Sequence, residues 1–167
     1  MIPDRITAHL EKHGIEFTRR PHPNAIDGQH LAAVLETTGW RVAKSVLVDV
    51  DGRYYLFVLP APEQVSLERA AEVVGGTRAR LADEEELLDA FPDCELGAEP
   101  PFGTLYGVDV VMEERLLAEP RMVVRAGSHR EALELSTHDF YDLEQPEVGD
   151  FGIREDVARA IAQELST

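Results

Sequence analysis

The chain has 167 residues, 44% of them hydrophobic, which is enough for one domain with a single core. Its 32 acidic and 16 basic residues give a formal net charge of −16, which excludes extended, non-specific binding to phosphate chains but leaves room for a small basic pocket. There is no apolar run of membrane-spanning length, no signal-peptide pattern and only one cysteine, Cys94, so we expect a cytoplasmic protein without an internal disulfide.

The first forty residues predict two helices separated by a strand and a turn-rich loop. Ile2, Ile6 and Leu10 lie four residues apart, which predicts an amphipathic helix that ends at Gly14. The elements expected next are a strand over 15–20, a loop from 21 and a helix over 29–38 that closes at Gly39.

The clearest pattern is a β-hairpin. Two runs rich in β-branched and aromatic residues, 42–50 and 53–59, flank Asp51-Gly52, a dipeptide preferred in two-residue hairpin turns. The second run is apolar on both faces, which predicts a strand in the middle of a sheet.

Short helices and strands alternate after the hairpin. Ser66 begins a helix that reaches Val74, and Asp83 followed by Glu86 predicts a capping box for the helix that Pro92 stops. The remaining expected elements are strands at 78–81, 108–112, 121–126 and 131–136, a helix to about 143 capped by Ser136 or Thr137, and a C-terminal helix.

This order of elements predicts an α/β fold. Some strands are joined as hairpins and others are separated by helices, so we expect a single domain with a mixed, partly antiparallel central sheet flanked by helices. The domain is expected to span residues 1–152. Residues 153–167 are expected to form a helix that packs on it through Val157, Ile161 and Leu165.

Lys44 interrupts an apolar face of the first hairpin strand. Side chains alternate along a strand, so Lys44 shares its face with Val42, Val46, Val48 and Val50. A lysine is almost never fully buried without a partner. Either its stem extends to the sheet edge, or its ammonium enters a cavity and meets an anion or a polar ligand.

The segment GAEPPFG, residues 97–103, precedes an apolar strand. Pro100 and Pro101 have a fixed φ and donate no N–H, whereas the flanking glycines permit other backbone shapes. We expect a stiff, sharply bent segment whose carbonyl oxygens a ligand could satisfy. Phe102 either forms a wall of the cavity that Lys44 enters or lies in the core.

A third segment, AGSH at 126–129, ends an apolar strand. His129 could orient a bound group or could bond only its own turn. Cys94 is expected to be a small buried residue rather than a nucleophile. His9 and His13 lie four residues apart on a helix without a third ligand nearby, so we expect no metal and no cofactor.

Four segments together resemble the YbaK/prolyl-tRNA editing-domain family, over about residues 3–152. They are VAKSVLV, YYLFVLPA, LADEEELLDAFPDCELGAEPPFGTLYGVDVVM and AGSHREALEL, in the family's order and spacing. The resemblance implies a mixed α/β domain that hydrolyses the ester between a wrong amino acid and the 3′ adenosine of tRNA. The C-terminal helix lies beyond the family core.

The resemblance also implies which residues form the site. Lys44 matches the lysine that contacts the tRNA terminus, and with Gly97 and His129 it forms the expected catalytic set. Ser45 and Ser128 stand where threonine is common and keep the hydroxyl. The expected substrate-binding residues are Ser45, Pro100, Pro101, Phe102, Gly103, Gly127 and Ser128.

The chain offers no convincing general base, so the resemblance implies that a ribose hydroxyl of the substrate helps to activate the attacking water. We expect a trans-editing deacylase for a small amino acid on a non-cognate tRNA such as tRNA-Pro, with contact confined to the acceptor end. A synthetase or elongation factor could bring the tRNA. The alternative is a non-catalytic module of the same fold that binds a nucleotide, an amino-acid-like ligand or a protein.

Overall fold

The computed structural model describes residues 1–25 and 27–166 of the chain. The strands in this range are β1 (Phe17–Pro21), β2 (Val42–Val50), β3 (Arg53–Pro60), β4 (Glu63–Val65), β5 (Ala79–Leu81), β6 (Asp109–Glu113), β7 (Arg121–Arg125), β8 (Glu131–Ser136), β9 (Glu147–Gly149) and β10 (Gly152–Arg154). The α-helices are α1 (Asp4–Lys12), α2 (Gly28–Val34), α3 (Leu67–Val73), α4 (Glu84–Ala90), α5 (Thr137–Glu144) and α6 (Glu155–Leu165).

A mixed sheet forms the centre of the fold. Its strand order is β1-β8-β7-β2-β3-β6-β9, and β5 pairs with β2 outside this path. Three pairs are parallel, β2 with β7, β3 with β6 and β6 with β9, whereas β2 with β3, β7 with β8 and β1 with β8 are antiparallel. The predicted fold class is confirmed, and β3 occupies the predicted central position.

The sheet is buried on both faces along β2. Ala43 and Leu47 belong to the largest hydrophobic cluster, to which α1 and α5 also contribute. Val48 and Val50 point to the other face, where α3 covers them. Alternating side chains of β2 therefore enter different clusters, and this double burial fixes the register of the strand.

The hairpin between β2 and β3 has the predicted two-residue turn. Asp51 and Gly52 have φ angles of 53° and 89°, the left-handed conformations that a type I′ turn requires. The carboxylate of Asp49 accepts a 2.7 Å hydrogen bond from the Gly52 N–H. The Asp51 carboxylate accepts from the N–H groups of Thr77 and Arg78 and so ties the turn to β5.

One edge of β2 is divided between two partners. Residues 42–43 pair with β7, whereas residues 48–50 pair with β5. In the part of the chain that the structure describes, no strand pairs with residues 44–46 on this edge. The sheet therefore opens beside Lys44.

The predicted helix starts are confirmed by their caps. The side chains of Ser66, Asp83 and Ser136 each accept a hydrogen bond from a backbone N–H of the first turn. Both hydrogen bonds of the capping box between Asp83 and Glu86 are present. These short polar side chains satisfy N–H groups that have no partner inside the helix.

Two details of the sequence-based assignment were wrong. Helix α2 ends at Val34 rather than at 38, because Glu36 adopts a left-handed φ of 54° and breaks the helical hydrogen bonding. Strands β4, β9 and β10 were not predicted. Each has only three residues.

Helix α6 does not pack as predicted. None of its described residues is buried, and Val157, Ile161 and Leu165 are 44%, 47% and 83% exposed. The helix is held at its first residue, where the Glu155 N–H donates to the Pro62 carbonyl at 2.9 Å. Within the described residues, no helix is both long enough and apolar enough to cross a membrane.

Glu113, the last residue of β6, is a fully buried carboxylate that holds the segment leading into α6. Its Oε2 accepts hydrogen bonds from the backbone N–H groups of Phe151 at 2.8 Å and Gly152 at 2.7 Å. Its Oε1 lies 3.1 Å from Nη2 of Arg115. Because Gly152 begins β10, this carboxylate fixes the position from which α6 starts.

Replacing Glu113 by alanine should lower the free energy of unfolding by about 3 kcal/mol, because two buried N–H groups lose their acceptor and Arg115 loses a counter-ion. Urea unfolding followed by circular dichroism measures the change. The matched control is Glu114→Ala, which removes an exposed carboxylate one residue later and should change stability by no more than about 0.5 kcal/mol. Equal effects of the two substitutions would contradict the assigned role of Glu113.

Candidate active site

A cavity of about 200 Å³ lies where β7 and β2 separate. It brings together three of the predicted site residues, Lys44, Ser45 and Gly97. The other lining residues come from β2, the start of α2, the GAEPPFG segment and the end of β7, and they are Val42, Ala43, Asp27, Gly28, Glu99 and Arg125. Two wider surface hollows, of about 700 and 610 Å³, contain none of the predicted site residues.

Lys44 enters this cavity and is only partly exposed, with 25% of its side chain accessible. Its Nζ donates to the Ala61 carbonyl oxygen at 3.2 Å and to Oε1 of Glu155 at 3.1 Å. Of the two sequence-based alternatives, the structure therefore supports a lysine in a cavity with polar partners.

The GAEPPFG segment is held against the AGSH segment by backbone hydrogen bonds. The Glu95 N–H donates to the Gly127 carbonyl at 3.0 Å, and the Gly127 N–H donates to the Ala98 carbonyl at 2.8 Å. Gly97 and Gly127 have φ angles of +86° and +88°, which favour glycine at both positions. The two segments that sequence analysis singled out thus form one rigid unit at the cavity.

His129 contacts the segment and does not line the cavity. Its Nε2 lies 2.7 Å from the Leu96 carbonyl oxygen, and because a carbonyl can only accept, Nε2 carries the proton of this hydrogen bond. The ring also packs beside Gly97, where an added Cβ would lie 3.4 Å from a ring carbon. His129 therefore holds the backbone at Gly97 in place.

Six of the predicted substrate-binding residues are not among those that line the cavity: Pro100, Pro101, Phe102, Gly103, Gly127 and Ser128. Phe102 is fully buried in the main hydrophobic cluster, with its ring centroid 6.0 Å from that of Phe140. Its assignment as a cavity wall was wrong, because the bend turns this side chain into the core. A Cβ at Gly103 would lie 2.5 Å from the Val108 carbonyl oxygen, so this glycine permits close backbone packing.

Sequence analysis missed two buried charged residues of the cavity, Glu99 and Arg125. They are 7% and 5% exposed. Arg125 donates from Nη2 to the carbonyl oxygens of Ala25 and Asp27, at 2.8 and 3.3 Å. The sequence did contain a signal for each residue. Glu99 is the only charged residue in the GAEPPFG segment, and Arg125 ends an apolar strand.

Three polar atoms around the cavity lack a hydrogen-bond partner among the residues described. They are Oε2 of Glu99, Nη1 of Arg125 and Oγ of Ser45. Buried polar atoms are nearly always hydrogen-bonded, because leaving one unpaired costs about 1–3 kcal/mol. A polar ligand or an ordered water in the cavity would satisfy these three atoms.

Burial dominates the electrostatics of the two charged side chains. It raises the pKa of Glu99, and the backbone N–H groups of Glu99 and Gly97 oppose this by favouring the charged carboxylate. Burial lowers the pKa of Arg125, and the charges of Asp27 and Glu99 oppose that shift. Burial therefore disfavours the charged form of both side chains, and the neighbouring groups oppose this effect.

Cys94 is not part of this cavity. It is buried, and its burial raises the pKa of the thiol to about 12. The Tyr106 hydroxyl lies 3.5 Å from the sulfur. A thiol that stays protonated is a poor nucleophile, in agreement with the sequence-based interpretation.

A family model and a curated relative both match most of this chain. The model of the family described as "Aminoacyl-tRNA editing domain" matches residues 22–143. The multifunctional Ser/Thr-tRNA deacylase ProXp-y of Escherichia coli K12 is 28% identical over 152 residues, which cover 88% of this chain and 90% of the relative.

Solved structures share the fold. A structure described as a candidate trans-editing enzyme for prolyl-tRNA synthetase has a TM-score of 0.80 at 22% identity. The alignment covers 90% of this chain and 96% of the chain in that structure. The structure of a hypothetical protein has a TM-score of 0.82 at 18% identity. The alignment covers 89% of this chain and 99% of the chain in that structure.

The raised pKa of Cys94 predicts slow thiol labelling. With a pKa of about 12, the thiolate fraction at pH 8 is far below that of an exposed cysteine, whose pKa is near 8.5. Labelling by a chromogenic disulfide reagent at pH 8 should be at least about a hundredfold slower in the native protein than in 8 M urea. Similar rates in the two conditions would contradict this environment for Cys94.

Proposed function

The chain belongs to the aminoacyl-tRNA editing domain family, and we propose that it is a trans-editing deacylase that hydrolyses the ester of a mischarged tRNA. The observation that carries this proposal is the shared cavity, which is lined both by Lys44 of β2 and by Gly97 of the proline-containing segment. A volume of about 200 Å³ suits the side chain of a small amino acid rather than a large ligand.

In the proposed mechanism the protein mainly binds and positions the substrate. Lys44 donates a hydrogen bond to the 3′ end of the tRNA, and the backbone at Gly97, held by His129, forms the wall against the aminoacyl group. A ribose hydroxyl of the substrate helps to position the attacking water. Rigid placement is effective because a displacement of about 1 Å can cost a hundredfold in rate.

The proposed partner is the acceptor end of the tRNA, a small amino acid on a non-cognate tRNA such as tRNA-Pro being the substrate. A net charge of −16 disfavours a wider RNA contact. We also propose that the protein acts in the cytoplasm and that a synthetase or elongation factor delivers the tRNA.

Replacing Lys44 by methionine should lower kcat/KM for a mischarged tRNA by at least about a hundredfold, because the anchor of the 3′ end is lost. Deacylation of a panel of radiolabelled mischarged tRNAs, against a no-enzyme blank, measures this. The matched control is Lys12→Met, since Lys12 is the only other lysine and is exposed on α1.

Two results would contradict the proposal. Wild-type kinetics in the folded Lys44→Met variant would remove the lysine from the reaction. A wild-type protein that hydrolyses no tRNA in the panel would favour the alternative, a non-catalytic binding module.

We further propose that the aminoacyl group carries a hydroxyl, as in serine or threonine. A hydroxyl can donate to a carboxylate such as that of Glu99 and can accept from a guanidinium such as that of Arg125, and each of these side chains has an unpaired atom. The α-ammonium cannot do this, because it has no acceptor. The name of the Escherichia coli relative, a Ser/Thr-tRNA deacylase, supports the same substrate class.

Replacing Glu99 by methionine, which has a similar length and no acceptor oxygen, should reduce the preference for serine over alanine by about tenfold. The measurement is kcat/KM for Ser-tRNA and Ala-tRNA prepared on the same tRNA. The ratio cancels any general loss of folded protein, so the alanine substrate acts as the internal control. An unchanged ratio would remove Glu99 from substrate selection.

A further inference from the structure

The first residue of α6 reaches the proposed active site. Glu155 lies outside residues 22–143, which match the family model. Its Oε1 nevertheless lies 3.1 Å from Nζ of Lys44, and both side chains are partly exposed, at 36% and 25%. A residue of the C-terminal helix is therefore in direct contact with the proposed anchor of the tRNA.

Glu155 is held in place by its own backbone. The strand pair β10–β4 places Arg154 opposite Glu63, and the next N–H, that of Glu155, donates to the Pro62 carbonyl at 2.9 Å. The neighbouring carbonyl, that of Ala61, is the other acceptor for Lys44. The hydrogen bond between the Glu155 N–H and the Pro62 carbonyl thus brings the segments that carry the two acceptors of the lysine together.

The number of N–H donors on Lys44 determines whether one is left for a ligand when Ala61 and Glu155 are both bound. An ammonium has three N–H donors. Two of them are directed to Ala61 and Glu155, and Lys44 has no third partner among the residues described. The remaining donor is the one available to a ligand in the cavity that Lys44 lines.

We infer that Glu155 is a positioning residue for the deacylation. Together with the Ala61 carbonyl it holds the ammonium of Lys44 so that the third N–H meets the 3′ end of the tRNA. This inference rests on the proposed function. The ordering matters because a free lysine side chain has rotamer entropy, which would otherwise be lost on each binding event.

Two other roles for Glu155 would change the kinetics or the stability in different ways. If Glu155 competed with the tRNA for Lys44, removing the carboxylate would strengthen substrate binding and lower KM. If Glu155 only stabilised the fold, its loss would lower the midpoint of thermal unfolding without a specific effect on the reaction.

The test compares Glu155→Ala with Glu155→Gln in the full-length protein. The alanine variant should lose about tenfold in kcat/KM, whereas the glutamine variant should keep near wild-type activity because its amide oxygen still accepts from Lys44. The matched control is Asp156→Ala, which removes the same charge one residue later. Asp156 binds Arg154 rather than Lys44, so its loss should leave kcat/KM unchanged.

A second readout does not depend on deacylase activity. The rate at which an amine-specific reagent acylates Lys44, relative to Lys12 in the same molecule, is measured by mass spectrometry. Glu155→Ala should raise this ratio severalfold, because the ammonium is no longer held, and Glu155→Gln should raise it less. If the wild type deacylates nothing but the ratio rises as expected, the proposed function fails and the positioning contact stands.

Three outcomes would overturn the inference. One is a kcat/KM that is unchanged or raised in Glu155→Ala. Another is an equal loss in the alanine and glutamine variants, which would indicate that charge rather than geometry matters. The third is a labelling ratio for Lys44 that does not respond to Glu155→Ala.

Discussion

Each position on the edge of a β-strand can pair with only one neighbouring strand, and this constraint creates the site. On one edge of β2, residues 42–43 pair with β7 and residues 48–50 pair with β5. Among the described residues, the stretch between them has no partner strand on this edge, and the side chain of Lys44 enters a cavity there. The GAEPPFG segment closes that cavity from the other side because its backbone bonds to Gly127.

Under the proposed function, an acidic protein binds the end of an RNA through a few local charges. Lys44 and Arg125 lie in one cavity, where the field between charges is screened less than on the surface. Surface carboxylates farther away than about 10 Å are largely screened at 0.1 M salt. A net charge of −16 therefore disfavours an extended RNA interface without preventing a local contact.

In the proposed mechanism, the side chains of the protein mainly position the substrate and do not themselves react with it. Cys94, the only thiol, lies outside the cavity with a raised pKa, and His129 uses its Nε2–H to hold Leu96. The same principle extends to the C-terminal helix. Glu113 accepts a hydrogen bond from the first residue of β10, β10 leads into Glu155, and Glu155 accepts one from Lys44, so a series of contacts connects a fully buried carboxylate with the proposed site.

Local sequence patterns were sufficient to determine the strands of the hairpin, the capped helices and the central place of β3. This is because turn chemistry and side-chain alternation depend only on residues that are close together in the chain. The residue pattern also singled out Lys44 and the GAEPPFG segment, and the family resemblance assigned site roles to Lys44, Ser45 and Gly97, which the fold brings into one cavity. Only the tertiary structure decided that Phe102 enters the core, that Glu99 and Arg125 face the cavity and that Glu155 reaches Lys44, 111 residues away in the chain. Contacts of this kind join residues that are distant in sequence, and a periodic pattern carries no information about which distant residue fills a given space.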